Sequence, residues 1–92
     1  MIKTFKSKAL EKLYHAGDAV GVPKARESKI LMLLDLMEAA DKPDDLAMPG
    51  TGFHRLKGNR KHQYSISVSG NWRIVFEFSG GGFEAVNLED YH

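Results

Sequence analysis

Six residues of this 92-residue chain carry the side chains that phosphoryl transfer needs: His54, Lys57, Arg73 and the run Asp90-Tyr91-His92. Two imidazoles can move protons near neutral pH, and two cations can hold the charge that gathers on a five-coordinate phosphorus. That set is enough to cleave RNA by attack of its own 2′-hydroxyl, because the nucleophile then belongs to the substrate and no metal has to generate one. Other chemistries find less support. There is no cysteine, hence no thiol nucleophile and no zinc–thiolate site. The four histidines, His15, His54, His62 and His92, include no i, i+4 pair and no HExxH motif, so neither a metal nor any other cofactor is expected. Gly80-Gly81-Gly82 falls between two predicted strands and suits a hairpin better than a phosphate cradle. Each of the six residues also has an ordinary structural alternative: a strand histidine packs, and a terminal residue frays. The residues alone reach an α+β domain with a basic face, with catalysis as one reading among several.

The elements that must position these groups are legible from periodicity. In Gly70–Phe78, Trp72, Ile74, Phe76 and Phe78 fall on one parity and Arg73, Val75 and Glu77 on the other. This is a strand with one face on a core, and its residue types suit a pleated, half-buried surface. Tyr64, Ile66 and Val68 alternate with Ser65, Ser67 and Ser69 in a second strand. Phe53–Lys57 and Phe83–Leu88 complete the later strands, and Ile2–Phe5 reads as a short first one. Between them, Ser7 caps a helix over about residues 7–16 that stops at Gly17. After the break at Gly21-Val22-Pro23, the stripe Ile30, Leu33, Leu34 and Met37 marks a second helix from Lys24 to about Asp41. The order β-α-α-β-β-β-β predicts two helices packed on one face of a mainly antiparallel, twisted sheet, leaving the other face for a site.

Ninety-two residues make one domain, residues 1–92, able to bury roughly 60–65% of its unfolded surface. No apolar run reaches the roughly 18–20 residues of a membrane span, and the charged N-terminus lacks a secretory h-region. A cytoplasmic protein is expected. The formal charge of +1 hides a segregation. Lys/Arg and Asp/Glu balance over residues 1–52. Residues 53–73 hold Arg55, Lys57, Arg60, Lys61 and Arg73 with no acid, whereas residues 74–92 hold Glu77, Glu84, Glu89 and Asp90 with no Lys or Arg. The basic block either presents an anion-binding surface or is neutralised by the acidic block across neighbouring strands.

Four elements in order carry a resemblance: Phe53-His54-Arg55-Leu56-Lys57-Gly58-Asn59-Arg60, Tyr64-Ser65-Ile66-Ser67-Val68, Asn71-Trp72-Arg73-Ile74 and Leu88-Glu89-Asp90-Tyr91-His92. With Ile2–Lys6 they resemble HigB-type toxins of the RelE-like (RelE/ParE) toxin–antitoxin superfamily over essentially the whole chain. The resemblance implies a compact RelE-like fold and a ribosome-dependent mRNA endoribonuclease that inhibits protein synthesis. It also implies a helix-turn-helix, HigA-like antitoxin through which alone the toxin meets operator DNA. Carried over residue by residue, His54 and His92 serve proton transfer in an unassigned order. Arg73 and Lys57 stabilise the phosphate, Asp90 orients an imidazole, and Tyr91 stacks on a base. Arg55, Arg60 and Lys61 are the expected RNA contacts, since this mildly charged chain must draw its phosphate affinity from the 53–73 block. Two rivals stay open: a ParE-like gyrase poison, and a non-catalytic module that only binds RNA or an antitoxin.

Overall fold

The computed structural model describes residues 1–90. Ser7 accepts a hydrogen bond from the Leu10 amide at 3.1 Å and so caps α1 (Lys8–Ala16). Gly17 ends the helix in a left-handed conformation, φ 70°, that a side chain would resist. A 3₁₀ turn leads into α2 (Glu27–Ala39), which buries Ile30, Leu33, Leu34 and Met37. Residues 17–23 and that 3₁₀ turn are all that separates the two helices.

Four antiparallel strands follow in the order of the chain: β1 (His54–Arg55), β2 (Tyr64–Ser67), β3 (Trp72–Ser79) and β4 (Gly82–Asp90). Leu10 and Leu13 of α1 and the α2 stripe pack against Ile66, Ile74, Phe76, Phe83 and Val86 of the sheet. An aromatic ladder crosses the sheet inside this layer. Phe53 stacks on Tyr64 at 5.8 Å, Tyr64 on Phe76 at 5.8 Å, and Phe83 meets Phe76 edge-on at 5.2 Å.

The sheet agrees with the expected class and differs in three details. The strand expected at Phe53–Lys57 pairs only at His54 and Arg55, because the chain then turns into a 3₁₀ segment, Gly58–Arg60. The expected first strand is reduced to two parallel bridges along the outer edge of β4, Ile2 to Phe83 and Phe5 to Val86. Its ladder is broken by a bulge in β4, where Ala85 and Val86 together oppose Phe76 and Ala85 takes φ 52°. Thr4 Oγ1 accepts from the Ala85 amide there, at 2.8 Å, in place of a backbone carbonyl. Finally, the face away from the helices is not bare. Ser65 and Val75, neighbours across β2 and β3 on that face, are each only 1% exposed.

Candidate active site

Strand register assembles the site on the face opposite the helices. His54 lies opposite Ser65, Ser65 opposite Val75, and Val75 opposite Asn87. One step along the strands, Ser67 lies opposite Arg73 and Arg73 opposite Glu89. Directly opposed residues share a face, and so do alternate residues of one strand. From strand spacing and rise, the Cα atoms of His54 and Arg73 are about 12 Å apart. Two long side chains can close that span from either side of one phosphodiester.

The hydrogen bonds of His54 define its neutral tautomer. Nδ1 lies 3.1 Å from the Gly52 carbonyl oxygen, which can only accept, so Nδ1 carries the hydrogen. Nε2 then keeps its lone pair, and the Ser65 hydroxyl donates to it at 3.4 Å. The ring itself stays exposed on a short edge strand. A histidine held in this way has its orientation set by two groups, and Nε2 is free to take a proton from substrate once the Ser65 hydroxyl turns away.

Around Arg73 the decisive partner is one that sequence reasoning did not single out. Glu89 accepts from Arg73 Nη2 through Oε1 at 3.3 Å and from Arg60 Nη2 through Oε2 at 2.6 Å. The Arg73 and Glu89 side chains are 17% and 24% exposed. Burial by itself pushes the Glu89 carboxyl up. The hydrogen bonds and charges of Arg60, and then of Arg73, outweigh it and hold the group below the ordinary carboxylate range. Arg60 also donates from Nε to Gln63 Oε1 at 2.6 Å, which fixes the 3₁₀ turn that Lys57 enters. The acidic block thus neutralises part of the basic block, at Arg60 and Arg73. Lys57 and Lys61 remain exposed, with no ion pair to any acid among the described residues.

The remaining expected residues are dispersed. Arg55 pairs with Tyr64, on the helix-side parity; its guanidinium carbon sits 5.2 Å from the centre of that ring, and its Nε donates to the Lys61 carbonyl at 2.7 Å. Arg55 therefore does not share the face of His54 and Arg73. Asp90 ends β4 opposite Trp72 and accepts from Asn71 Nδ2 at 3.4 Å. Tyr91 and His92 lie outside the described residues.

Comparison with known proteins gives the chain a family. The family model of RelE-like toxins of the type II toxin–antitoxin system HigB matches residues 3–92. The chain belongs to the HigB family of RelE-like toxins. It is 39% identical to Endoribonuclease HigB of Proteus vulgaris over 92 residues, all of both chains. It is 32% identical to Toxin HigB-1 of Vibrio cholerae serotype O1 over 83 residues, 88% of this chain and 87% of that one. As a HigB-family member it is the toxin half of a type II module, and an antitoxin is its partner. No helix among the described residues is long and apolar enough to cross a membrane.

Proposed function

We propose that this HigB-family toxin is an endoribonuclease that cleaves messenger RNA on the translating ribosome, in the cytoplasm and without a metal. One observation carries the reading: an exposed histidine whose acceptor nitrogen is Nε2 shares a sheet face with a mostly buried, carboxylate-held arginine. The name of the Proteus vulgaris relative supports it.

In the proposed reaction His54 Nε2 takes the proton of the substrate's 2′-hydroxyl, and that oxygen attacks the adjacent phosphorus. The 5′-oxygen leaves with a proton from His92 acting as acid, giving a 2′,3′-cyclic phosphate and a 5′-hydroxyl end. Arg73 and Lys57 hold the charge that grows on the non-bridging oxygens. Asp90 orients His92, Tyr91 stacks on a base, and the exposed Lys61 meets the RNA backbone, while Arg60, committed to Glu89 and Gln63, holds the turn beside it. The antitoxin is a HigA-like helix-turn-helix protein through which the toxin reaches operator DNA.

Brief induction followed by mapping of RNA 5′ ends tests this, with 5′-hydroxyl ends expected inside translated frames. Arg73→Ala should lower the cleavage rate about 10²–10³-fold, the cost of removing one transition-state donor, while the fold survives. Undiminished cleavage by Arg73→Ala, or DNA breaks without loss of message, would overturn the reading, the latter in favour of a gyrase poison.

A further inference from the structure

The Arg60–Glu89–Arg73 cluster contains a residue that neither periodicity nor motif assigned. Resting on the RNA-cleavage reading, we propose that Glu89 is a positioning residue. It takes one guanidinium on each carboxylate oxygen, orienting Arg73 for phosphate and tying the turn after Lys57 to the strand opposite Arg73.

Three features carry this. An arginine side chain has many rotamers, and one that must meet a phosphate in a two-pronged grip gains from being ordered beforehand. Glu89 is its direct cross-strand neighbour, at 3.3 Å. The same carboxylate reaches Arg60, which ends the 3₁₀ turn entered by Lys57 and donates its own amide to the Lys57 carbonyl at 3.3 Å. Lys57 on the loop and Arg73 on the sheet are thereby linked through one carboxylate. The bulge at Ala85 makes the arrangement possible. Were the register of Glu77 and Glu84 to continue unbulged, Leu88 rather than Glu89 would stand opposite Arg73.

The competing idea is that Glu89 merely occupies the place of a phosphate and leaves when RNA arrives. The shared carboxylate argues against it. Arg60 holds the same group at 2.6 Å, so Glu89 is anchored beside Arg73 and is not a loose occupant of the phosphate position.

The test uses the full chain as wild type, Glu89→Gln and Arg60→Met. The first measurement is independent of cleavage: NMR of the Arg73 Nε–H group, which should report a restrained guanidinium in wild type and a measurably more mobile one in Glu89→Gln. The second is steady-state cleavage of ribosome-bound message, well below the melting temperature of each variant. Glu89→Gln should lower kcat by about 10–100-fold with KM changed less than about twofold. Arg60→Met serves where Glu89→Gln fails to fold, and should likewise lower kcat at nearly constant KM. The double variant should be no worse than the poorer single one. A fall in KM or faster cleavage in Glu89→Gln would make Glu89 a competitor of RNA and sink the proposal. So would unchanged kcat, or a rise in KM alone in Arg60→Met, which would make Arg60 a simple phosphate contact. If wild type does not cleave, the RNA reading fails, and the NMR measurement still decides whether Glu89 orders Arg73.

Discussion

On the helix side of β3, Ile74 and Phe76 are fully buried among Leu10, Leu33, Leu34 and Phe83, and their contacts are apolar and non-directional. On the other side, Arg73 is mostly buried as well, but it is held by a carboxylate that accepts from a second arginine. One strand therefore carries two kinds of order, separated by parity. Apolar burial tolerates small shifts and fails through lost volume. A charge cluster fails through geometry, since a buried ionised group without its partner is costly. Substitutions on the first face should register in stability, and on the second mainly in rate.

The largest expected effect tests the helix side. Phe76→Ala removes the ring at the centre of the aromatic ladder and should cost about 3–5 kcal/mol, a large share of a small domain's stability. Denaturant unfolding would show it as a lower midpoint with little change in slope. A loss under about 1 kcal/mol would mean that the ladder relaxes around the gap, and the contrast between the faces would weaken. Arg73→Ala, by comparison, should move the cleavage rate far more than the midpoint.

Acid titration sharpens the contrast from the other face. The folded Glu89 carboxyl is held below its ordinary value of 4.5, so folding favours its ionised form. Its contribution is complete above that value and is lost as pH falls through the folded pKa, below 4.5. Wild type and Glu89→Gln, unfolded in denaturant from pH 7 downward, should differ by no more than about 1 kcal/mol at neutral pH, since solvent screens this partly exposed cluster. That gap should close below pH 4.5. A gap that persists in acid would show that the side chain matters by shape rather than charge. Phe76→Ala should show no such closing, since its loss involves no proton.

The same contrast explains what was readable in the sequence. Trp72, Ile74 and Phe76 announced the core because apolar burial imposes a period, and periods are local. Ser7, Gly17 and the α2 stripe were legible for similar reasons. Ser65 and Val75 were not. Serine at every second position suggested solvent, yet Ser65 is buried and donates to His54. Glu89 was hidden more deeply, inside an acidic tail whose alternation misleads. Starting from Phe83 in the core, strict alternation would send Asn87 and Glu89 to the helix side and Val86 and Leu88 outward. The extra residue at Ala85 reverses this, so that Val86 is fully buried and Glu89 meets Arg73. No residue type announces that bulge, because alanine sits where glycine would be expected.

Ala85 therefore supports the smallest prediction. At φ 52° it occupies the left-handed region, which crowds a Cβ against the following carbonyl. Ala85→Gly removes the clash but adds freedom to the unfolded chain, and the two effects oppose each other. The net gain should be below about 1 kcal/mol, seen as a melting temperature equal to or slightly above that of wild type. The register should persist, because Thr4 still takes the amide of residue 85 and Val86 still fills the core. Arg73 should then stay restrained by Glu89, and cleavage should be unchanged. If Ala85→Gly instead lowers stability and frees Arg73, the alanine methyl is what pins the bulge. The alignment of Arg73 with Glu89 would then depend on one side chain near the middle of β4.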